Sequence, residues 1–351
     1  MTGAPSETEI LTRVDNGIGI LTLNRPKAIN SLTQTMIDLL TETLGTWAHD
    51  DDVRAVVLEG AGERGLCAGG DVIAIYHDAR ADGAQTRTFW VDEYRLNAQI
   101  ARFPKPYIAL MDGIVMGGGV GLGSHGNVRV VTDKTKMAMP EVGIGLIPDV
   151  GGTHLLSRAD GALGEYAALS GTPFSGADAI ALGFADHYVP HDRLTEFTQA
   201  IIDDDAETAL GRYAVEPPAS NLVAQRYWID ECFADNGKVK TPAGIVAALR
   251  GHDAGPANDA ADVIAGRSPI AVAVTLEAVR RAADLHTLED TLVQEYRVST
   301  AALRSHDLVE GIRALLIDKD RNPKWSPSSL AMITPADVEA YFAPADPDLT
   351  F

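Results

Sequence analysis

Two carboxylates, Glu141 and Asp149, lie eight residues apart in a segment that is otherwise apolar and rich in glycine, residues 111–153. A proline directly precedes each acid and restricts the backbone there. A carboxylate in such surroundings can serve as a general base or as a nucleophile. The alternative is a glycine-rich turn that carries two solvated acids.

The same segment contains a triple glycine, Gly117 to Gly119, and a second glycine pair, Gly69–Gly70, lies upstream within residues 62–72. Backbone N–H groups of successive glycines are not covered by a Cβ, so an anionic oxygen can approach them closely. If a short helix begins at such a turn, its first N–H groups are also free of helical partners. Two glycine turns beside two carboxylates predict an oxyanion hole next to an acid or base.

Apolar runs and turn signals predict the elements that must position these groups. An Asn-Gly turn signal at Asn16–Gly17 predicts a hairpin between the first two strands. The predicted strands are 10–14, 18–23, 53–58, 107–111, 128–132 and 184–189. Helices are predicted from Ser31 or Thr33 to Ala48, from Asp71 onward, over 88–103, from 151 onward, over 175–183, from about 192, over 268–283 and 287–305, and from 306. Residues 214–221 and 252–260 are rich in breakers and are predicted to be loops.

The helix predicted over 88–103 carries an acid on its apolar stripe. Phe89, Leu96, Ile100 and Phe103 share one side, and Glu93 occupies the i+4 position of that side. A buried carboxylate is costly unless it is paired or belongs to a site. Either the helix rolls enough for Glu93 to reach water, or Glu93 serves a binding site.

The overall composition excludes several function classes. The formal net charge of −20 opposes non-specific binding to nucleic acid or to an anionic membrane. Two cysteines, Cys67 and Cys232, cannot form a disulfide framework and fit a reducing compartment. No run of about 18 apolar residues occurs, and the first ten residues lack an export signal. We therefore expect a soluble cytoplasmic protein. Cys67 is predicted to be a small buried filler, His306 to have a capping or packing role, and no metal-ligand spacing is present.

Four long segments resemble the crotonase (enoyl-CoA hydratase/isomerase) superfamily: LNRPKAINSL, GLCAGGDV, KPYIALMDGIVMGGGVGL and MPEVGIGLIPDVGGT. Within it, the chain is most similar to the 3-hydroxyisobutyryl-CoA hydrolases, because LVQEYRVSTAALRSHDLVEGIRALLIDKDRNPKW also resembles that group. The resemblance implies an α/β fold, a crotonase-type spiral of ββα units with a helical C-terminal region. The spiral core would span residues 1–190, and the mainly helical region, residues 191–351, would pack on it.

The resemblance also implies a role for each candidate residue. The N–H groups of Gly70 and Gly118 would form the oxyanion hole, and Glu141 and Asp149 would be the catalytic acids. Glu93 would contact the substrate together with Gly118 and the two acids. The stretch from Arg25 to Asn30, with Lys27 and Ala28, would bind the coenzyme A portion. No separate cofactor and no metal is implied, since coenzyme A is part of the substrate.

Two departures from the hydratase pattern decide the predicted reaction. Gly121 stands where hydratases carry one of their two glutamates, and Asp149 stands where they usually have a small residue. The hydrolases share this combination. We therefore predict hydrolysis of a short 3-hydroxyacyl-CoA thioester, with 3-hydroxyisobutyryl-CoA of valine catabolism as the expected substrate. Glu141 would attack the carbonyl or activate water, while Asp149 would handle the water proton or orient the substrate hydroxyl. The alternatives are an enoyl-CoA hydratase/isomerase and a non-catalytic acyl-CoA-binding protein, and the sequence leaves open whether chains form a homo-oligomer.

Overall fold

The computed structural model describes residues 8–234 and 240–351. A six-stranded sheet and a three-stranded sheet organise the first half of the chain. The strands are β1 (Ile10–Asp15), β2 (Ile18–Leu23), β3 (Ala55–Gly60), β4 (Tyr107–Met111), β5 (Ile114–Met116), β6 (Val128–Val131), β7 (Lys136–Ala138), β8 (Phe174–Ser175) and β9 (His187–Tyr188). The larger sheet has the order β1-β2-β3-β4-β6-β9, and the smaller has the order β5-β7-β8.

The predicted hairpin is confirmed. Strands β1 and β2 pair antiparallel, and Asn16 and Gly17 between them both have positive φ, as the tight turn requires. Strands β2, β3, β4, β6 and β9 then pair in parallel, and the central residues of β2 to β4 are mostly buried and apolar, as is typical of parallel strands that are covered on both faces. The strand predicted over 53–58 begins two residues later and ends at Gly60, and only His187–Tyr188 of the predicted 184–189 forms a strand.

Helices connect the strands and form most of the second half of the chain. They are α1 (Gln34–Trp47), α2 (Val72–Ala79), α3 (Ala84–Ala101), α4 (Gly118–Gly123), α5 (Gly152–Leu156), α6 (Leu163–Ser170), α7 (Gly176–Ala181), α8 (Leu194–Asp203), α9 (Ala206–Tyr213), α10 (Asn221–Phe233), α11 (Pro242–Gly251), α12 (Gly255–Ala265), α13 (Pro269–Ala282), α14 (Leu288–Ala302), α15 (His306–Ile312) and α16 (Pro335–Glu339). Short 3₁₀ helices include Pro26–Ala28 and Glu141–Ile144, and a π-helical turn, Arg313–Ile317, follows α15.

Capping side chains determine where several helices begin. The hydroxyl of Thr33 accepts from the N–H of Met36 at the start of α1, and Asp71 caps α2 in the same way. Ser175 and Asp178 form a reciprocal capping box at α7. These positions agree with the sequence prediction. The prediction of a loop over 252–260 is wrong, because α12 begins at Gly255. A proline is tolerated in the first turn of a helix, since the backbone N–H groups there make no hydrogen bond within the helix.

Two apolar clusters cover the two faces of the larger sheet. On one face Ile18, Val57 and Ile108 pack with Phe197 of α8 and with α9. The opposite face packs into the main core, which also includes buried side chains of α10 to α15. Side chains from both predicted parts of the chain therefore share one core, while the predicted boundary near residue 190 stays a prediction.

The segment between β3 and α2 brings the two glycine turns together. The backbone of Cys67 pairs with that of Val115 of β5 in an isolated β-bridge, and the backbone of Gly70 pairs in the same way with Leu32, just before α1. The triple glycine follows β5 directly and leads into α4. The first glycine turn therefore lies beside the start of α4, which is the arrangement that a two-donor oxyanion hole requires.

Candidate active site

A cavity of about 290 Å³ lies where the two glycine turns meet α3 and the segment that carries the acids. Its walls are mostly apolar, and its polar groups are the three predicted carboxyls and backbone of the two turns. The lining residues are Ala68, Gly69, Gly70, Val72, Ile75, Phe89, Trp90, Glu93, Met116, Gly117, Gly118, Pro140, Glu141, Ile144, Leu146, Asp149, Val150, Leu315 and Leu316. A concave apolar site with a few convergent polar groups is typical of a small-molecule site.

The two predicted oxyanion donors face this cavity. Gly118 is the first residue of α4, so its N–H has no partner within the helix. Within residues 8–234 and 240–351, neither its N–H nor that of Gly70 has a hydrogen-bond acceptor. A Cβ built on Gly118 would lie 3.6 Å from the Gly70 nitrogen and 2.5 Å from Oε1 of Glu93. The two donors are therefore close together, and the approach of Glu93 requires glycine at position 118.

Three carboxyls share the cavity although each is almost completely buried. The exposed fractions are 2% for Glu93, 7% for Glu141 and 6% for Asp149. Among the described residues, Oε1 of Glu93 and Oε2 of Glu141 have no hydrogen-bond partner. Buried polar atoms normally have partners, so these two oxygens are available to a bound substrate. The alternative that Glu93 turns toward water is excluded by its burial.

Burial changes the acidity of all three groups. It raises the pKa of Glu93 and of Glu141 well above the ordinary value, and repulsion from Asp149 adds to both shifts. Burial also raises the pKa of Asp149, but only to about 6, because a hydrogen bond from the Tyr94 hydroxyl stabilises the ionised form. Among the three, Asp149 is therefore the acid whose ionised form is stabilised by a side-chain donor.

Sequence reasoning missed two groups that hold the turn carrying Asp149. The Tyr94 hydroxyl donates to Oδ2 of Asp149 at 2.7 Å. The carboxyl of Glu295 in α14 accepts from the N–H groups of Gly151 and Thr153 at 2.7 and 2.9 Å. The available signal was that Glu295 lies on the buried stripe of α14, just as Glu93 lies on that of α3.

The space at Gly121 is closed to a longer side chain. A Cβ at this position would lie 2.7 Å from Nδ2 of Asn97 and 2.8 Å from the Cβ of Val150. The Asn97 side chain is completely buried, and its amide has no protein partner among the described residues. The space beside Gly121 is therefore filled by Asn97 and Val150, and a longer side chain at this position would collide with them.

Other predicted residues lie outside the cavity. Lys27 and Ala28 are exposed on the 3₁₀ helix Pro26–Ala28 and do not line the cavity. The turn that follows them pairs with the glycine segment, because the Ala68 N–H donates to the Ile29 carbonyl. Cys67 is buried, as predicted for a filler, and burial raises the pKa of its thiol to about 12.

The predicted capping or packing role of His306 is only partly met. Ser305, and not His306, caps α15, while the His306 ring contacts the Lys324 carbonyl from an exposed position.

In the part of the chain that the structure describes, no cluster of three or more His, Cys, Asp or Glu side chains is placed to hold a metal ion. Likewise, none of the helices in residues 8–234 and 240–351 combines the length and apolar character needed to cross a bilayer.

The family model for "Enoyl-CoA hydratase/isomerase" matches residues 18–342. This chain belongs to the enoyl-CoA hydratase/isomerase family. The match extends from β2 to the end of the helical C-terminal region at residue 342. It confirms the superfamily and the fold expected from the sequence segments.

Relatives with assigned names agree with a subgroup of this family. A mitochondrial 3-hydroxyisobutyryl-CoA hydrolase from Danio rerio is 38% identical over 99% of this chain and 92% of its own length. The corresponding Homo sapiens protein is 36% identical over 95% of this chain and 88% of its own length.

Two solved structures of this family carry other names. A carnitinyl-CoA dehydratase from Mycobacterium thermoresistibile is 68% identical and superposes with a TM-score of 0.95. The match covers 98% of this chain and 99% of that chain. An enoyl-CoA hydratase from Rhodobacter sphaeroides 2.4.1 is 39% identical, with a TM-score of 0.92, 98% of this chain covered and 100% of that chain. The names of these relatives divide between thioester hydrolysis and hydration chemistry, so the geometry of the site must decide.

Proposed function

We propose that this chain hydrolyses 3-hydroxyisobutyryl-CoA to 3-hydroxyisobutyrate and free coenzyme A, the step expected in valine breakdown. One observation carries the proposal: the second hydratase carboxyl is missing at Gly121, its space is filled by Asn97, and Asp149 is placed in the cavity instead. Thioester cleavage is promoted by an oxyanion hole, a base for water and an acid for the departing sulfur. The cavity supplies all three.

The reaction can be assigned to individual groups. The N–H groups of Gly70 and Gly118 stabilise the negative charge that develops on the thioester oxygen, and one such donor is worth about 2.7–4 kcal/mol of barrier in other enzymes. Asp149 removes a proton from water as the water oxygen attacks the thioester carbon. The carbon–sulfur bond then breaks, and the proton held by Glu141 passes to the sulfur of coenzyme A.

The environments of the two acids support these roles. Burial raises the pKa of both acids, and repulsion from Asp149 adds to the shift of Glu141. The Tyr94 hydroxyl stabilises ionised Asp149, whereas Oε2 of Glu141 has no partner among the described residues, so Asp149 is assigned as the acid that ionises first. Two carboxyls with pKa values pushed apart can act as base and acid at one pH. The alternative is direct attack by ionised Glu141 to form a mixed anhydride, with the same oxyanion hole.

The pH profile of kcat/KM should distinguish these roles. If ionised Asp149 is the base, kcat/KM should rise tenfold per pH unit below an apparent pKa near 6, because the active form is the deprotonated one. The profile should fall again at higher pH, where Glu141 loses its proton. A second increase at that point would instead support Glu141 as the nucleophile.

Glu93 is the proposed partner of the substrate 3-hydroxyl, because its Oε1 is buried, unpartnered and close to Gly118. We expect Glu93→Leu to lower kcat/KM for 3-hydroxyisobutyryl-CoA about 10–100-fold, since it leaves the hydroxyl unpaired, which costs about 1–3 kcal/mol. The same change should affect isobutyryl-CoA, which lacks this hydroxyl, less than about threefold, the loss expected from a small packing change. Glu93→Gln keeps the shape and the hydrogen-bonding capacity and serves as the control. Equal losses on both substrates would assign Glu93 to packing alone.

Hydration or dehydration of an acyl-CoA is the second candidate, since the solved structures named above carry hydratase and dehydratase names. The deciding assay compares three substrates at equal concentration. Thiol release is followed with 3-hydroxyisobutyryl-CoA, enoyl absorbance with crotonyl-CoA and with carnitinyl-CoA. Thiol release from the first and no change with the other two supports hydrolysis, and the opposite result overturns it.

Further expectations about the cellular setting remain proposals. Lys27 and Ala28 are proposed to lie near the coenzyme A portion of the substrate, because their turn pairs with the oxyanion segment. A cytoplasmic location and a homo-oligomeric assembly remain predictions, and the named hydrolase relatives are mitochondrial.

A further inference from the structure

The turn that carries Asp149 has a conformation that its own sequence does not favour. Val150, the next residue, has a φ of +52°, in the left-handed region. A β-branched side chain is rarely found there, and such strain persists only where surrounding groups hold it. The contacts on both sides of Val150 therefore determine where the Asp149 carboxyl lies.

Helix α14 supplies several of these contacts. Oε2 of Glu295 accepts from the Gly151 N–H at 2.7 Å, and Oε1 accepts from the Thr153 N–H at 2.9 Å. The Thr153 hydroxyl donates to the same carboxyl. Glu295 is completely buried, so the whole carboxyl is committed to this turn. It binds the free N–H groups at the start of α5 much as a capping residue would, but from a distant part of the chain.

A second contact reaches the Asp149 carboxyl itself. The Tyr94 hydroxyl donates to Oδ2 of Asp149 at 2.7 Å and lies 3.3 Å from Oγ of Ser299. Ser299 lies one helical turn beyond Glu295 on α14. The same helix therefore contacts the backbone after Asp149 and the tyrosine that binds its side chain.

The third contact is on the opposite side of the turn. Nε2 of His125 lies 2.7 Å from the Val150 carbonyl oxygen. Burial lowers the pKa of His125 to about 4, so the ring is neutral near pH 7 and its Nε2–H donates to that carbonyl. This contact comes from the loop after α4, so three separate elements hold the strained turn.

We propose that Glu295 and Tyr94 are positioning residues for Asp149. Helix α14 thereby supports catalysis, because it carries Glu295 and also Ser299, which contacts Tyr94 of α3. This inference rests on the proposed function, because Glu295 and Tyr94 act through Asp149, the proposed base of that reaction. Neither residue lines the cavity, so neither is expected to contact the substrate. Their loss should lower kcat and leave KM almost unchanged.

Tyr94→Phe tests the contact to the carboxyl. The phenylalanine keeps the ring and removes the donor, so ionised Asp149 loses a stabilising partner. Among the described residues, the other ionisable groups that interact with Asp149 are the carboxyls of Glu93, Glu141 and Glu295, and none of them is substituted in this variant. We expect kcat to fall about tenfold, as for loss of about 1.4 kcal/mol, with the acid limb of kcat/KM moved to higher pH. In an Asp149→Asn background the same change should have no further effect on kcat.

Glu295→Gln tests the contact to the backbone. The amide cannot accept on both sides, so at least one donor of the turn loses its partner. We expect kcat to fall about 10–100-fold, and deuterium exchange of the peptide covering residues 148–156 to become faster. Glu289→Gln is the matched control, because Glu289 is on the same helix and its carboxyl pairs with Arg102 instead of with the turn. If Glu295→Gln does not fold, Thr153→Val removes one donor, and Thr153→Ser restores it.

One further measurement separates this inference from the proposed function. The pKa of Asp149 can be followed by ¹³C NMR without any turnover, with the signal assigned by its loss in Asp149→Asn. A higher pKa in Tyr94→Phe supports positioning even if the wild-type protein releases no thiol, an outcome that would refute only the proposed reaction. An unchanged Asp149 pKa in Tyr94→Phe together with unchanged exchange in Glu295→Gln would overturn the inference. So would a Tyr94→Phe effect of equal size with and without Asp149.

Discussion

Asp149→Asn should lower kcat for 3-hydroxyisobutyryl-CoA hydrolysis by about 10²–10⁴-fold, the usual contribution of a general base. Asparagine has nearly the same size, and its Oδ1 can still accept the hydrogen bond that Tyr94 donates to Asp149 at 2.7 Å. The turn should therefore keep its position while the base is lost. The measurement is steady-state thiol release, with KM compared to the wild type.

Glu141→Gln provides the companion measurement. It should be similarly impaired, and the double variant should be little worse than either single variant, because the two acids act on one proton-transfer sequence. Losses that multiply in the double variant would show that the acids act independently. Normal thiol release by Asp149→Asn would remove Asp149 from the mechanism and, with it, the main argument for hydrolysis.

Gly118→Ala should reduce turnover by at least about 10²-fold, the cost of impairing one oxyanion donor. The added methyl carbon would lie 2.5 Å from Oε1 of Glu93 and 2.8 Å from Cδ1 of Leu32, so the side chains or α4 must move. It would also lie 3.6 Å from the Gly70 nitrogen, in the space beside the second donor. Thiol release and the circular dichroism spectrum should be measured together.

Gly211→Ala is the matched control for this change. Gly211 lies in α9, where a Cβ would meet no neighbouring atom of the described residues outside the helix's own backbone within 4 Å, so the methyl group is accommodated. This variant should retain full activity and equal or slightly greater stability, since alanine favours a helix over glycine. A Gly118→Ala protein as active as this control would exclude Gly118 from the oxyanion hole.

Much of the fold could be predicted from local signals. The Asn16–Gly17 turn predicted the hairpin because few residues adopt its positive φ values, and Thr33 predicted the start of α1 because its side chain caps a free N–H. Such signals fail where one residue type has two uses. The proline in 252–260 suggested a loop, but a proline in the first turn of α12 is equally compatible with a helix.

Several residues of the candidate site could also be predicted from the sequence. Glu93 stood out because a carboxylate on an apolar helical stripe needs an explanation, and its burial at 2% exposed shows that the stripe does face inward. Gly70 and Gly118 stood out because their N–H groups are uncovered, and both lie in the cavity wall. The role of Lys27 and Ala28 stays a prediction, since neither lines the cavity.

The sequence alone determined which groups are available: two backbone N–H donors that no Cβ covers, the carboxyls Glu141 and Asp149, and a glycine at position 121 in place of an acid. Only the tertiary structure decided how these groups are held and tuned. Tyr94 meets Asp149 across 55 residues of chain, and Glu295 meets Gly151 across 144. Periodicity identifies the face of a helix but not the element opposite it, because packing over such separations depends on the whole core. The pKa of Asp149, near 6, is likewise a property of burial and of the Tyr94 contact, neither of which exists until the chain has folded.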